Sequence, residues 1–172
     1  QAILAQGIML RPRPRGPPPP PWRPPRPANL VVPILSTPTY VIRRALELAR
    51  VGPGDVVLDL GCGDGSVCVV AAAEFGALAH GVDIYEPNLE GARRMAEGRE
   101  VSDRCTFHNL DFLDVGGLEA HPIWTQATVV YWFFSITGVS DKFVPMFQRS
   151  AHRLRLVSWS PTNQHFQGCA GA

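Results

Sequence analysis

The chemistry-bearing residues of this chain are carboxylates spaced around a glycine-rich turn. Gly61-Cys62-Gly63-Asp64-Gly65 follows the run Val56-Val57-Leu58-Asp59-Leu60 and precedes an apolar stretch that begins at Val67. Glycines between a strand and a helix permit positive φ and let a ligand approach bare backbone near the helix N-terminus. A dinucleotide site would want a further glycine where Ser66 stands, and Asp59 at the mouth of the strand would repel a pyrophosphate. A carboxylate in that place suits a cationic ligand instead. Asp83, 18 residues after Gly65, ends a second apolar run. There it can accept both hydroxyls of a ribose or cap a helix that starts near Pro87. Asp111-Phe112 follows a third run. Its carboxylate can accept an exocyclic amine while the ring packs on a base, the alternative being an ordinary loop aspartate.

These groups need a scaffold that brings several strand ends to one edge. The spacing predicts a helix from Pro38 to Ala49, with Ser36 or Thr37 as its N-cap and Gly52-Pro53-Gly54 as its stop. Strands are expected at 55–60, 77–82 and 104–110, with a buried helix at 67–75 and an exposed one at 87–98. A fourth strand at 127–134, a helix at 142–149 and a weaker strand at 154–159 complete the pattern. Alternation of this kind predicts an α/β fold with a doubly wound parallel sheet and right-handed crossovers. Ligands of such sheets bind beyond the carboxyl ends of the strands.

Of the 17 prolines, 12 lie within residues 1–38, and Pro17 to Pro21 are consecutive. Residues 1–28 therefore read as a disordered Pro/Arg-rich tail that samples polyproline II. Five of the 16 basic residues and none of the 15 acidic ones fall before Ala28, so the remainder is a mildly acidic body with net charge −4. That body lacks the basic face of a specific nucleic-acid binder. Cys62, Cys68, Cys105 and Cys169 form no CxxC pair and have no histidine at zinc spacing, so no metal and no disulfide framework is expected. His80, His108, His121, His152 and His165 are scattered without a partner pattern. No stretch is long enough for a membrane span, and the Ala2 to Leu10 run is not a convincing secretory signal. A monomer is expected in an intracellular setting, cytoplasmic or mitochondrial.

Residues 36 to about 148 resemble the class I, seven-stranded, Rossmann-like methyltransferases. The resemblance is carried by Val56 to Gly65 and by Asp83 and Asp111 at the following strand ends. It implies S-adenosyl-L-methionine as cofactor, held by Asp59, Gly61, Cys62, Gly63, Asp83, Asp111 and Phe112. Ser36-Thr37-Pro38 before a helix and D-L-G-C-G-D-G are further similar to the family that includes the mitochondrial ATP synthase c-subunit lysine methyltransferase. That likeness adds Thr37 to the cofactor set and implies a protein lysine as acceptor. Ser66 and Asp83 depart from it, since its members often carry Arg and Glu there, and a small-molecule acceptor is the alternative. Methyl transfer needs alignment and desolvation more than covalent chemistry. Tyr131 and Trp132, at the end of the fourth strand, are the residues expected to line an aromatic acceptor channel, with Phe133 and Phe134 divided between channel and core.

A complete domain of that superfamily has more strands than the five found before Pro161. The expectation is a methyltransferase domain over 29–160, C-terminally truncated at about five of seven strands, and a disordered tail over 161–172. A catalytically weak cofactor-binding or interaction module is the competing reading.

Overall fold

Strands covered on both faces require continuous aliphatic and β-branched residues rather than polar alternation; the central runs Val56–Leu60 and Val129–Trp132 are buried that way, whereas the run Cys105–Asn109 alternates between buried and exposed positions. The computed structural model describes residues 36–133, 140–150 and 154–158. Among them, β1 (Val56–Leu60), β2 (Leu78–Asp83), β3 (Cys105–Asn109), β4 (Val129–Trp132) and β5 (Arg155–Ser158) form one parallel sheet in the order β3-β2-β1-β4-β5. The chain winds outward from β1 through β2 to β3, then returns to the other side of β1. The reversal opens a crevice beyond the carboxyl ends of β1 and β4, where ligands of such sheets bind.

Helices α1 (Thr39–Leu48), α2 (Ser66–Phe75) and α3 (Glu86–Gly98) cover one face, and α4 (Val115–Ala120), α5 (Pro122–Gln126) and α6 (Ser140–Ser150) the other. Alternate strand residues divide accordingly. Val57, Val129, Tyr131 and Val157 join the core with α1 to α3, while Leu58, Leu60, Val130, Trp132 and Leu156 join the core with α4 to α6. α2 is apolar nearly all round because it lies between β1, β2 and its neighbouring helices.

The doubly wound parallel sheet and its five strands agree with the expectation from sequence. Three local features differ. Ser36 and Thr37 do not cap α1, whose N-cap is Pro38 without any side-chain bond. α4 and α5 were not among the expected elements. Their starts are made by Asp114, which accepts from the Gly117 amide at 3.1 Å, and by His121 Nδ1, which accepts from the Ile123 amide at 3.3 Å. α6 runs through Pro145, beyond both ends of the expected helix.

The amino ends of the strands are tied together by Arg155, which donates to the Ala49 and Arg50 carbonyls at 2.7 and 3.0 Å and pairs with Asp55. Asp55 Oδ1 also accepts from the Thr128 hydroxyl at 2.7 Å, and that hydroxyl accepts from the Val56 amide at 3.0 Å. One cluster thus joins the end of α1 to the starts of β1, β4 and β5.

Candidate functional site

At the opposite, carboxyl end, the turn after β1 is held by β2. The amides of Gly61 and Cys62 both donate to the Val82 carbonyl at 2.9 Å, and the Gly63 amide donates to Asp83 Oδ2 at 2.9 Å. Gly61, Gly63 and Gly65 all have positive φ, the region that side chains disfavour. At Gly65, φ is 77° and a Cβ would lie 2.5 Å from Ala92 Cβ, so the turn also needs the missing side chain to pack on α3. Gly81 of β2 makes room from the other side, since a Cβ there would lie 2.8 Å from both Cys62 Sγ and Phe107. Nothing local in the sequence singled out Gly81, although a glycine inside a strand commonly marks such a close approach.

Asp59 lies on the same side of the sheet as Val57 and is 4% exposed. Burial pushes its pKa up to about 8, and the charges of Asp64 and Asp83 push the same way. Asp64 accepts from the Ser66 amide at 3.0 Å and from the Ser36 hydroxyl at 2.9 Å. Asp83 accepts from the Tyr85 amide at 2.8 Å as well as from Gly63, so it shapes the approach to α3 without being its N-cap, which is Tyr85. Among the described residues, no lysine or arginine is bonded to Asp59, Asp64 or Asp83. A buried carboxylate without a basic partner, beside two more carboxylates, is stabilised as an anion only when a cation arrives.

That electrostatic demand is the fit test for S-adenosylmethionine, which carries a sulfonium and an ammonium, and the donor set passes it. The Cys62 thiol is buried, which drives its pKa well above the ordinary thiol value, and its amide donates to the Val82 carbonyl. Asp111 is exposed and accepts from the Leu113 amide at 2.9 Å, while Phe112 is half-buried with its ring 6.2 Å from that of Phe143.

Tyr131 and Trp132 point to opposite faces. Tyr131 is registered with Asp59 across β1 and β4, and its ring stacks on Phe133 at 5.3 Å. Thr37, half-buried, stands beside its hydroxyl. Trp132 packs among Phe143 and Phe147, with ring centroids 5.0 and 6.0 Å away, in the core under α6. The structure therefore brings Thr37, Asp59, the glycine turn, Asp83 and Tyr131 together and sets Trp132 apart. Phe134 lies outside the described residues.

Sequence reading named Ser36 and Asp64 but not their mutual bond, which joins two separate segments. It also missed that His80, His108 and His121 meet: His80 Nδ1 and His108 Nε2 are 3.3 Å apart, and the His108 and His121 rings lie edge to face at 5.7 Å. His152 and His165 lie outside the described residues. No group of three or more histidine, cysteine, aspartate or glutamate side chains among the described residues is arranged to hold a metal. No helix among them is long and apolar enough to cross a membrane.

Residues 52–121 match a family described as a methyltransferase domain. Over 139 residues the chain is 32% identical to a protein-lysine N-methyltransferase of Saccharolobus islandicus, covering 76% of this chain and 81% of that protein. A solved RNA methyltransferase from Salinibacter ruber, in complex with S-adenosyl-L-homocysteine, superposes with a TM-score of 0.61 at 32% identity, covering 72% of this chain and 76% of that one. A geranyl diphosphate 2-C-methyltransferase of Saccharopolyspora erythraea is 33% identical over 87 residues, 49% of this chain and 30% of that protein.

Proposed function

We propose, from the premise that this chain belongs to the class I S-adenosylmethionine-dependent methyltransferases, that its methyl acceptor is the side-chain amine of a protein lysine. The observation that carries the reading is the acidic crevice. Asp59, Asp64 and Asp83 converge at the carboxyl ends of β1 and β2 with no basic residue bonded to them among those described, and Asp111 and Asp114 stand exposed at the end of β3. Such a field favours the approach of a cationic group. The protein-lysine N-methyltransferase of Saccharolobus islandicus, similar over most of its length, supports the same reading.

When bound, the cofactor would supply an electrophilic methyl on a sulfonium, transferable to the acceptor nitrogen with the thioether as leaving group and the nitrogen's surplus proton lost to solvent. The chain's own groups do the rest. Asp59 receives the ammonium end of the cofactor, the turn around Gly61 and Gly63 lets backbone approach it, and Asp83 accepts from the ribose hydroxyls. Asp111 and Phe112 are assigned to the adenine. Phe133, half-buried just beyond β4, would help exclude water from the acceptor nitrogen, which favours the neutral amine that can attack. Nothing in this scheme requires a general base within the protein.

The test is methyl transfer from labelled S-adenosylmethionine into a proteome matched to the source, followed by acid hydrolysis. Methylated lysine is the expected product. Label recovered only in small molecules would overturn the lysine reading and favour a small-molecule acceptor, the chemistry named for the relative from Saccharopolyspora erythraea.

A further inference from the structure

His80, His108 and His121 come from three elements and meet on one face of the sheet. His80 of β2 alternates with Val82, and His108 of β3 is registered with Val82, so both share its side of the sheet, where the α4 to α6 core lies. His80 Nδ1 and His108 Nε2 are 3.3 Å apart, and the His121 ring stands edge to face with that of His108 at 5.7 Å. All three side chains are half-buried. His121 Nδ1 also accepts from the Ile123 amide and so caps α5.

Such a cluster tolerates few protons. In the neutral pair one ring nitrogen donates and the other accepts; one further proton can sit on the far nitrogen of the donor ring, but a second leaves two donors face to face. A protonated His121 Nδ1 cannot accept from the Ile123 amide, and a positive charge at a helix start is opposed by the helix dipole. Among the described residues no carboxylate is bonded to any of the three rings. Glu86 is held by Arg93 and Asn109, Asp114 by the Gly117 amide and Glu119 by Arg149. The charged neighbour that acts on His108 from α3 is another cation, Arg93, which donates to the Phe107 carbonyl at 3.3 Å. Burial first, and then these neighbouring cationic groups, hold the His80 and His108 pKa values below the ordinary histidine value.

The cluster lies directly beside the anchors of the crevice. Val82, the register partner of His108, supplies the carbonyl that holds the Gly61 and Cys62 amides, and Asn109 is registered with Asp83. We propose that His80, His108 and His121 form an acid-sensitive latch, which fastens β3 and the start of α5 to β2 when neutral and releases them when it takes up more than one proton. Release slackens the strand that leads into Asp111 and Phe112. Only its effect on ligand binding rests on the cofactor being S-adenosylmethionine.

The experiment compares the full chain with His108→Gln, whose amide replaces Nε2 without titrating, and His80→Asn, which does the same for Nδ1. Ring resonances followed by NMR, and assigned by their loss in the variants, are expected to titrate below about pH 6.5 for His80 and His108. The unfolded chain then binds protons that the folded one refuses. As pH falls below that value, the wild type is expected to lose stability relative to either variant, by up to about tenfold in the unfolding constant per pH unit and proton. Affinity for S-adenosylmethionine, read by calorimetry as the ratio of variant to wild type, is expected to rise by at least about threefold between about pH 7.5 and about pH 5.5. Protonation of Asp59 is common to all three proteins and cancels in these comparisons. Histidines that titrate at or above about pH 6.5, or a stability difference that does not change with pH, would overturn the latch. A changing stability difference with a constant affinity ratio would overturn its link to the crevice. A wild type that binds no cofactor at either pH defeats the functional reading, while the melts still decide on the latch. If one variant fails to fold, the other carries the test.

Discussion

The carboxylate of Asp83 accepts a hydrogen bond from the Gly63 amide at 2.9 Å, which fastens the turn after β1 to the end of β2. Its other oxygen takes the Tyr85 amide at 2.8 Å. One side chain thus fixes both the turn after β1 and the approach to α3.

Replacing Asp83 with alanine leaves both amides without their acceptor and removes the group assigned to the ribose. The expected loss is about 1–3 kcal/mol of stability together with at least tenfold weaker cofactor binding, roughly 1.4 kcal/mol or more. Thermal melting and calorimetry on the same preparation check the pair. Weakened binding with an unchanged melt would show that Asp83 serves the ligand alone.

Asp59 makes the protein sensitive to pH in a definite direction. Its folded pKa of about 8 lies above the unfolded value near ~4, so the folded state binds the extra proton. Stability of the ligand-free chain therefore falls as pH rises through that window and levels off above it. A cationic cofactor favours the ionised carboxylate, so affinity should rise with pH across the same window, by at most about tenfold per unit. Below pH 8, binding should release a proton, visible as a dependence of the calorimetric heat on buffer ionisation enthalpy. Asp59→Asn should stabilise the ligand-free protein at pH 8 and abolish the proton release.

Gly65→Ala places a Cβ 2.5 Å from Ala92 Cβ in a residue with φ of 77°, so both packing and backbone resist it. A loss of more than about 2 kcal/mol is expected. Gly52→Ala, where nothing lies within 4 Å of the new atom, is the control and should change the melt little.

Trp132 should behave as a core residue. Trp132→Ala is expected to cost about 3–5 kcal/mol, whereas Trp132→Phe, which keeps a ring against Phe143 and Phe147, should leave cofactor affinity unchanged. A change in affinity without loss of stability would return Trp132 to the site.

The contrast between Tyr131 and Trp132 shows where reading a sequence stops. The aliphatic run at Val56 to Leu58 and the aspartates that follow each apolar run were legible, because a buried parallel strand must be apolar until its end, and ligand groups can only stand beyond it. Which of two adjacent aromatic residues shares the face of Asp59 depends on the pleat and the register with β1, and a single strand of letters carries neither. The Ser36–Asp64 bond and the meeting of His80 with His108 each join segments 28 residues apart. They exist only once the crossovers have placed those segments side by side. α4 was hidden for another reason: its glycines are poor helix formers, and the Asp114 cap supplies what propensity does not.

The Arg155 clamp sits at the amino edge of the sheet, with the length of the strands between it and the ligand crevice. Loss of the clamp and loss of the crevice carboxylates should therefore combine additively, as independent defects at distant sites do. For anyone redirecting the enzyme to another acceptor, this makes the protein modular: the loops at the carboxyl edge can be exchanged while the fastening at the other edge keeps the sheet in register.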